Sequence, residues 1–146
     1  MIAMLRDERV SRTFMLPDFA SDAEAAQLFR RLMRLSEGEE LYVRGAYDGD
    51  RLVGFINQVS AEEDTVEVGY VVAPEHWNRG YGTAMLRSAM AELFRRGWKT
   101  VRAGYFEGNA ASRRVMEKSG MTPIAFTEKV TYRGTEHDCR YMERHN

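Results

Sequence analysis

The chain has one cysteine, Cys139, so no internal disulfide can form. Its three histidines, His76, His137 and His145, are scattered. With one cysteine and no paired histidine spacing, a metal centre is not expected. No apolar run approaches the length that spans a bilayer, so no membrane partner is expected. The opening MIAMLRDERVSR carries charge too early and too often for a secretory signal, and a cytoplasmic location is the default expectation. There is no excess of one charge: 21 Lys and Arg face 22 Asp and Glu, a net charge of -1. Non-specific nucleic-acid binding is therefore not expected from the total, which leaves a local basic patch open. Repeats, low-complexity tracts and linkers are also missing.

What is there is ordinary globular material. Across 146 residues, 44 % are hydrophobic and 29 % charged, which predicts one domain, residues 1–146, around one core. Thr13 to Asp18 reads as a first strand. Ser21 and Glu24 form a capping-box pattern. The helix they start carries Ala25, Leu28, Phe29, Leu32 and Leu35 on one face and stops near Gly38. A three-stranded meander follows: Leu41 to Tyr47, Arg51 to Val59 after the turn Asp48-Gly49-Asp50, and Thr65 to Val72 after the acidic turn Glu62-Glu63-Asp64. In the middle strand Val53, Phe55 and Asn57 share one face and Leu52, Gly54 and Ile56 the other, so alternation leaves open which face meets the core. Pro74, without an N–H, ends regular pairing.

The pattern then changes. Arg79-Gly80-Tyr81-Gly82-Thr83 leads into a helix to about Arg96 with Leu86, Ala89, Met90, Leu93 and Phe94 on its apolar face, closed by Gly97. Thr100 to Phe106 reads as a strand, Asn109 to Gly120 as a capped helix, and Thr122 to Tyr132 with Glu136 to Arg144 as two strands joined through Arg133-Gly134. The order βα, three β, α, β, α, ββ specifies an α+β, mixed-sheet domain.

The glycine loop carries the first chemical signal. A helix start has unpaired N–H groups and partial positive charge, which suit a phosphate. Gly80 and Gly82 keep side chains out of the way and Arg79 adds a cation; the plainer reading is a tight turn with a solvated arginine. A P-loop is excluded by the missing Gly-Lys-Ser/Thr, and a dinucleotide fingerprint by Met85 at the third glycine position and by the preceding meander.

The run from Glu67 to Pro74, followed by Trp77-Asn-Arg-Gly-Tyr-Gly-Thr83, resembles the acetyl-CoA-binding motif Q/R-x-x-G-x-G/A of the GNAT superfamily of N-acetyltransferases. Trp77 stands where Gln or Arg is commonest. Together with Gly69-Tyr70 it resembles the ribosomal-protein N-acetyltransferase (RimJ/RimL-type) branch. A second block, Asn109 to Ser112 and then Glu117-Lys118-Ser119-Gly120-Met121, is similar to that branch's N-x-x-S…E-K-x-G-F, with Met121 for Phe. The likeness covers nearly the whole chain. It implies a mixed sheet of six or seven strands flanked by three or four helices, with acetyl-CoA as cosubstrate and an amine as acceptor. Relatives often dimerise, so a homodimer is a further expectation.

The resemblance also implies roles for individual residues. The pantetheine arm would lie beside the end of the Thr65–Val72 strand. There it would pair with backbone near Val71 and Val72, one N–H polarising the thioester carbonyl. Arg79, Gly80, Gly82 and Thr83 would hold the pyrophosphate and Asn109 the pantetheine; Asn109 as a plain N-cap is the alternative. An amine is largely protonated near neutral pH, with a reference pKa of about 8 for an α-amine and about 10.4 for lysine, and must lose a proton before attack. Glu67 is the candidate base, with an outward-facing surface carboxylate as the plain reading. Many superfamily members protonate the leaving thiolate with a tyrosine at the position of Met116. In this branch Ser112 takes that role, against a first-turn serine bonded to local backbone. Tyr105 and Tyr132 are lesser donor candidates. Trp77 and Trp98 read as core residues, and Cys139 as a small buried one. Glu37, Glu39, Glu40, Glu62, Glu63 and Asp64 favour a cationic acceptor if they line its site, or are solvated turns.

Two functions remain open on these residues: an enzyme moving acetyl from acetyl-CoA to a primary amine, and an acyl-CoA-binding module without turnover, kept open by Met116.

Overall fold

The computed structural model describes residues 2–38 and 40–146. It starts with two single-turn helices, α1 (Ile2–Leu5) and α2 (Glu8–Ser11), where the sequence shows no helical period. Four residues are too few for one. Asp7 starts α2 by accepting from the Arg9 amide at 2.9 Å. The strand expected over Thr13 to Asp18 does not form. The Tyr132 hydroxyl replaces a strand partner there: it accepts from the Leu16 N–H at 3.1 Å and donates to the Leu16 carbonyl at 3.1 Å.

Helix α3 (Asp22–Glu37) begins at Ser21, whose hydroxyl accepts from the Glu24 amide at 3.3 Å. The Glu24 carboxylate accepts from the Ala20 amide, one residue outside the usual reciprocal partner. Gly38 ends the helix with φ -88°, so it stops the chain without a left-handed turn.

Strands β1 (Val43–Asp48), β2 (Arg51–Glu62) and β3 (Thr65–Val72) form the antiparallel meander. β2 runs past Val59 because a bulge between Gln58 and Ser60 absorbs one residue and lets pairing resume at Ser60–Glu67. Four consecutive β2 residues, Val53 to Ile56, are buried, so both faces of the sheet are covered. Phe55 packs with Met4, Leu5, Val10, Leu16 and Val71 on one face, and Ile56 with the main cluster on the other.

Helix α4 (Tyr81–Arg95) supplies that second face, burying Gly82, Met85, Leu86, Ala89, Met90 and Leu93 at helical spacing. β4 (Thr100–Phe106), α5 (Ala110–Lys118), β5 (Thr122–Tyr132) and β6 (Thr135–His145) complete the chain. The sheet order is β1-β2-β3-β4-β6-β5. This is the α+β mixed sheet that the resemblance implies, with six of the expected six or seven strands. Among the described residues there are five helices, three of them substantial, where the resemblance implies three or four; the short α1 and α2 make up the difference.

One pairing positions everything that follows. β3 and β4 are parallel and in register only at Thr65–Thr100, Val66–Val101 and Glu67–Arg102. β4 pairs with β6 along its whole length, whereas beyond Arg102 it leaves β3. The two strands therefore splay, and a gap opens between Val68–Val72 and Ala103–Phe106.

Candidate active site

Strand alternation decides which backbone groups face this gap. The Ala73 amide bonds the Val53 carbonyl at 2.8 Å, on the β2 side. Val71 therefore turns its amide to β2 as well, while Val72 and Tyr70 turn theirs to the gap. The indole N–H of Trp77 donates to the Val72 carbonyl at 2.7 Å. Trp77 is 42 % exposed, so it is not the core residue its size suggested; it closes the end of β3. Trp98 does pack against the main core cluster.

The loop after the 3-10 turn Pro74–His76 passes Asn78 and Gly80 with φ of 61° and 84°. Gly80 is the N-cap of α4 and offers no side chain to its amides. The first helical bond is from the Ala84 N–H to the Gly80 carbonyl. The amides of Tyr81, Gly82 and Thr83 precede it, at the positive end of a 15-residue helix. Arg79 is exposed beside them. Gly80 is needed for its backbone conformation. Gly82 is needed for packing: a Cβ there would stand 3.3 and 3.4 Å from the Val115 methyls of α5 and 3.8 Å from the Tyr70 ring.

Glu67 is the last β3 residue paired with β4, at the point where the gap begins. It shares a sheet face with Gly69 and Val71, the face covered by the N-terminal helices. The carboxylate is half-buried and accepts from Ser60 at 3.4 Å. Burial pushes its pKa above the ordinary carboxylate value; Ser60 and Arg102 oppose this and Glu128 adds to it. Arg102 is committed elsewhere, donating from Nε and Nη2 to Glu143 Oε1 at 2.8 and 2.7 Å, so it neutralises Glu67 only in part.

On the opposite face, Ser112 stands in the first turn of α5. Asn109 is the N-cap and accepts from the Ser112 amide at 3.1 Å. The Ser112 hydroxyl lies 2.8 Å from the Tyr70 hydroxyl, which also lies 3.2 Å from the Ser112 carbonyl. Tyr70 is a polar residue that the sequence offered only as part of a motif. Its side chain reaches α5 because even-numbered β3 residues face α4 and α5, and that parity is the signal that identifies it. Burial pushes its pKa up to about 12. Met116 is fully buried in the core cluster with Met121 and Met142, so no hydroxyl is missing from a wall of the gap at that position.

The acidic residues lie elsewhere. Glu62, Glu63 and Asp64 are exposed at the closed end of the β3–β4 pair, where Asp64 binds Lys99 at 2.6 Å. Glu37 is exposed at the end of α3 and Glu40 is exposed beyond it, and Glu39 lies outside the described residues. Tyr132 is committed to Leu16. Tyr105 lines a cleft of about 390 Å³ with Asn109, Arg113, Ile124 and Tyr141, at the open end of β4. Cys139 is buried, and burial pushes its thiol pKa up. Among the described residues no cluster of His, Cys, Asp or Glu is arranged to hold a metal, and no helix is long and apolar enough to cross a membrane.

Comparison with known proteins agrees with this fold. Residues 1–122 match the model of the acetyltransferase (GNAT) domain. The chain is 24 % identical over 143 residues to the uncharacterised N-acetyltransferase YoaA of Bacillus subtilis, covering 93 % of this chain and 80 % of that one. It superposes on RimL, a ribosomal alpha-N-protein acetyltransferase, with a TM-score of 0.84 at 16 % identity, covering 99 % of this chain and 81 % of that one. It also superposes on yncA of Salmonella typhimurium, a putative acetyltransferase solved with acetyl-CoA, with a TM-score of 0.74 at 22 % identity over 99 % and 86 % of the two chains. The chain thus belongs to the GNAT family of acetyl-CoA-dependent N-acetyltransferases.

Proposed function

We propose that this enzyme transfers acetyl from acetyl-CoA to a primary amine, a protein N-terminus or a small-molecule amine, by direct attack. The β3–β4 splay carries this reading. It leaves the amides of Tyr70 and Val72 unpaired with any strand, at the edge where an extended pantetheine arm would lie. The Val72 N–H is the donor for the developing oxyanion, a contribution that is usually among the larger catalytic terms. The uncapped amides of Tyr81, Gly82 and Thr83, with Arg79 beside them, suit the pyrophosphate. Asn109 spends its carbonyl on the cap and keeps its amide for the pantetheine.

Glu67 and Ser112 stand on opposite faces of the splay, which suits a base on the acceptor side and a hydrogen-bond donor on the leaving-group side. The raised pKa of Glu67 brings it closer to that of the ammonium it must deprotonate, directly or through water. The one cysteine is buried with a raised thiol pKa, so an acetyl-cysteine intermediate has no nucleophile to form on. A protein N-terminus is favoured as acceptor class by the likeness to RimL, an alpha-N-protein acetyltransferase.

Two-substrate kinetics test the direct attack. Intersecting lines in double-reciprocal plots are expected, with no acetyl retained on the protein after incubation with acetyl-CoA alone. Parallel lines with an acetylated protein side chain contradict it.

A further inference from the structure

We infer that Tyr70 is a positioning residue for the leaving group, holding Ser112 so that its hydroxyl can turn its proton toward the departing thiolate. The inference rests on the proposed role of Ser112.

Tyr70 joins three parts of the site. Its backbone belongs to β3 and faces the gap. Its ring lies 3.8 Å from the Cβ position of Gly82 in the first turn of α4. Its hydroxyl meets both oxygens of Ser112 in the first turn of α5. Its pKa of about 12 keeps it protonated at any working pH, so it always has one proton to place.

Counting protons gives two arrangements. In the first, Tyr70 donates to the Ser112 carbonyl at 3.2 Å and the Ser112 hydroxyl donates to Tyr70, so the serine proton points away from substrate. In the second, Tyr70 donates to Ser112 Oγ at 2.8 Å and the Ser112 proton is released outward. Rotation of two hydroxyls converts one into the other without moving a heavy atom. Charge growing on sulfur favours the second, and Tyr70 then polarises the serine that faces it.

The step balances without an alkoxide. The amine nitrogen forms the C–N bond, and the C–S pair leaves on sulfur. The proton shed by the nitrogen goes to Glu67 or solvent. A thiol has a pKa of about 8.5, far below an alcohol, so the thiolate departs as an anion stabilised by the Ser112 hydrogen bond and takes its proton from water later. Ser112 donates a hydrogen bond and keeps its proton, and so does Tyr70.

The test is a double-mutant cycle on the full chain with Tyr70→Phe and Ser112→Ala, reading kcat, acetyl-CoA KM and melting temperature. Tyr70→Phe should lower kcat about three- to tenfold, the range of one lost hydrogen bond, with KM within about twofold. Tyr70→Phe should then add nothing in the Ser112→Ala background. An unchanged kcat in Tyr70→Phe, or effects that multiply in the double variant, overturns the inference. If Ser112→Ala itself keeps full kcat, the leaving-group role of Ser112 falls and Tyr70 with it, while acetyl transfer stands. Should Tyr70→Phe not fold, Tyr70→3-fluorotyrosine keeps the ring and strengthens the donor: kcat should rise with KM unmoved, and no change overturns the inference.

Discussion

At the scale of single residues, Glu67 carries the clearest consequences. In its proposed role as base, its raised pKa should shift the acid limb of the rate profile upward from the ordinary carboxylate value, because only the ionised form accepts the ammonium proton. Glu67→Gln should remove that limb and lower kcat by about 100-fold at neutral pH, as measured in a pH–rate series. An unchanged profile would remove Glu67 from the mechanism. Stability should move the other way. Ionised Glu67 is less favourable folded than unfolded, since its folded pKa is the higher of the two. The stability linked to its proton is fully present below the unfolded pKa and is lost as pH rises through the folded one. Glu67→Gln should therefore raise the melting temperature at pH 7 and leave it unchanged near pH 3, where both forms are neutral.

At the scale of elements, the start of α4 and its contact with α5 shape the proposed cofactor side. Gly82→Ala puts a methyl against Val115, which should cost about 1–3 kcal/mol of stability, as overpacking does, and raise the acetyl-CoA KM by shifting the first turn. Gly80→Ala has open space around it but φ of 84°, so it should cost about 1–2 kcal/mol through backbone strain alone. Denaturant unfolding together with the acetyl-CoA KM separates the two causes. Most element boundaries here were legible in the sequence because local chemistry sets them: Ser21 and Asn109 cap, Gly97 and Gly120 stop with positive φ, and Pro74 ends β3. The failures were tertiary. Thr13 to Asp18 has strand composition, but Tyr132, 116 residues away from Leu16, satisfies its backbone instead. Trp77 has the size of a core residue, yet the indole is spent on the Val72 carbonyl. Nothing local in the sequence marks the splay, which arises because β4 follows β6 rather than β3.

At the scale of the molecule, the sheet separates two groups of proposed site residues. α4 and α5 hold one face, with the glycine loop, Tyr70 and Ser112; the N-terminal helices cover the other, with Glu67. A motif could nominate the residues, but only topology puts Glu67 and Ser112 on opposite faces of the sheet beside one gap. A ligand spanning that gap should stabilise the whole fold. Acetyl-CoA at 100 times its Kd should add about 2.7 kcal/mol, which for a chain of this size is about 5–10 °C in melting temperature. Calorimetry reads this directly, and AMP or NAD at the same concentration should give no comparable shift. An equal shift from NAD would favour a nucleotide site over a coenzyme A site.

The most direct measurement of the central claim is hydrolysis-corrected thiol release from acetyl-CoA across a panel of primary amines and peptides with free N-termini. The account predicts acceptor-dependent release matched mole for mole by N-acetylated product. Tight acetyl-CoA binding with no acceptor-dependent release from any amine would contradict it and leave a binding module without turnover.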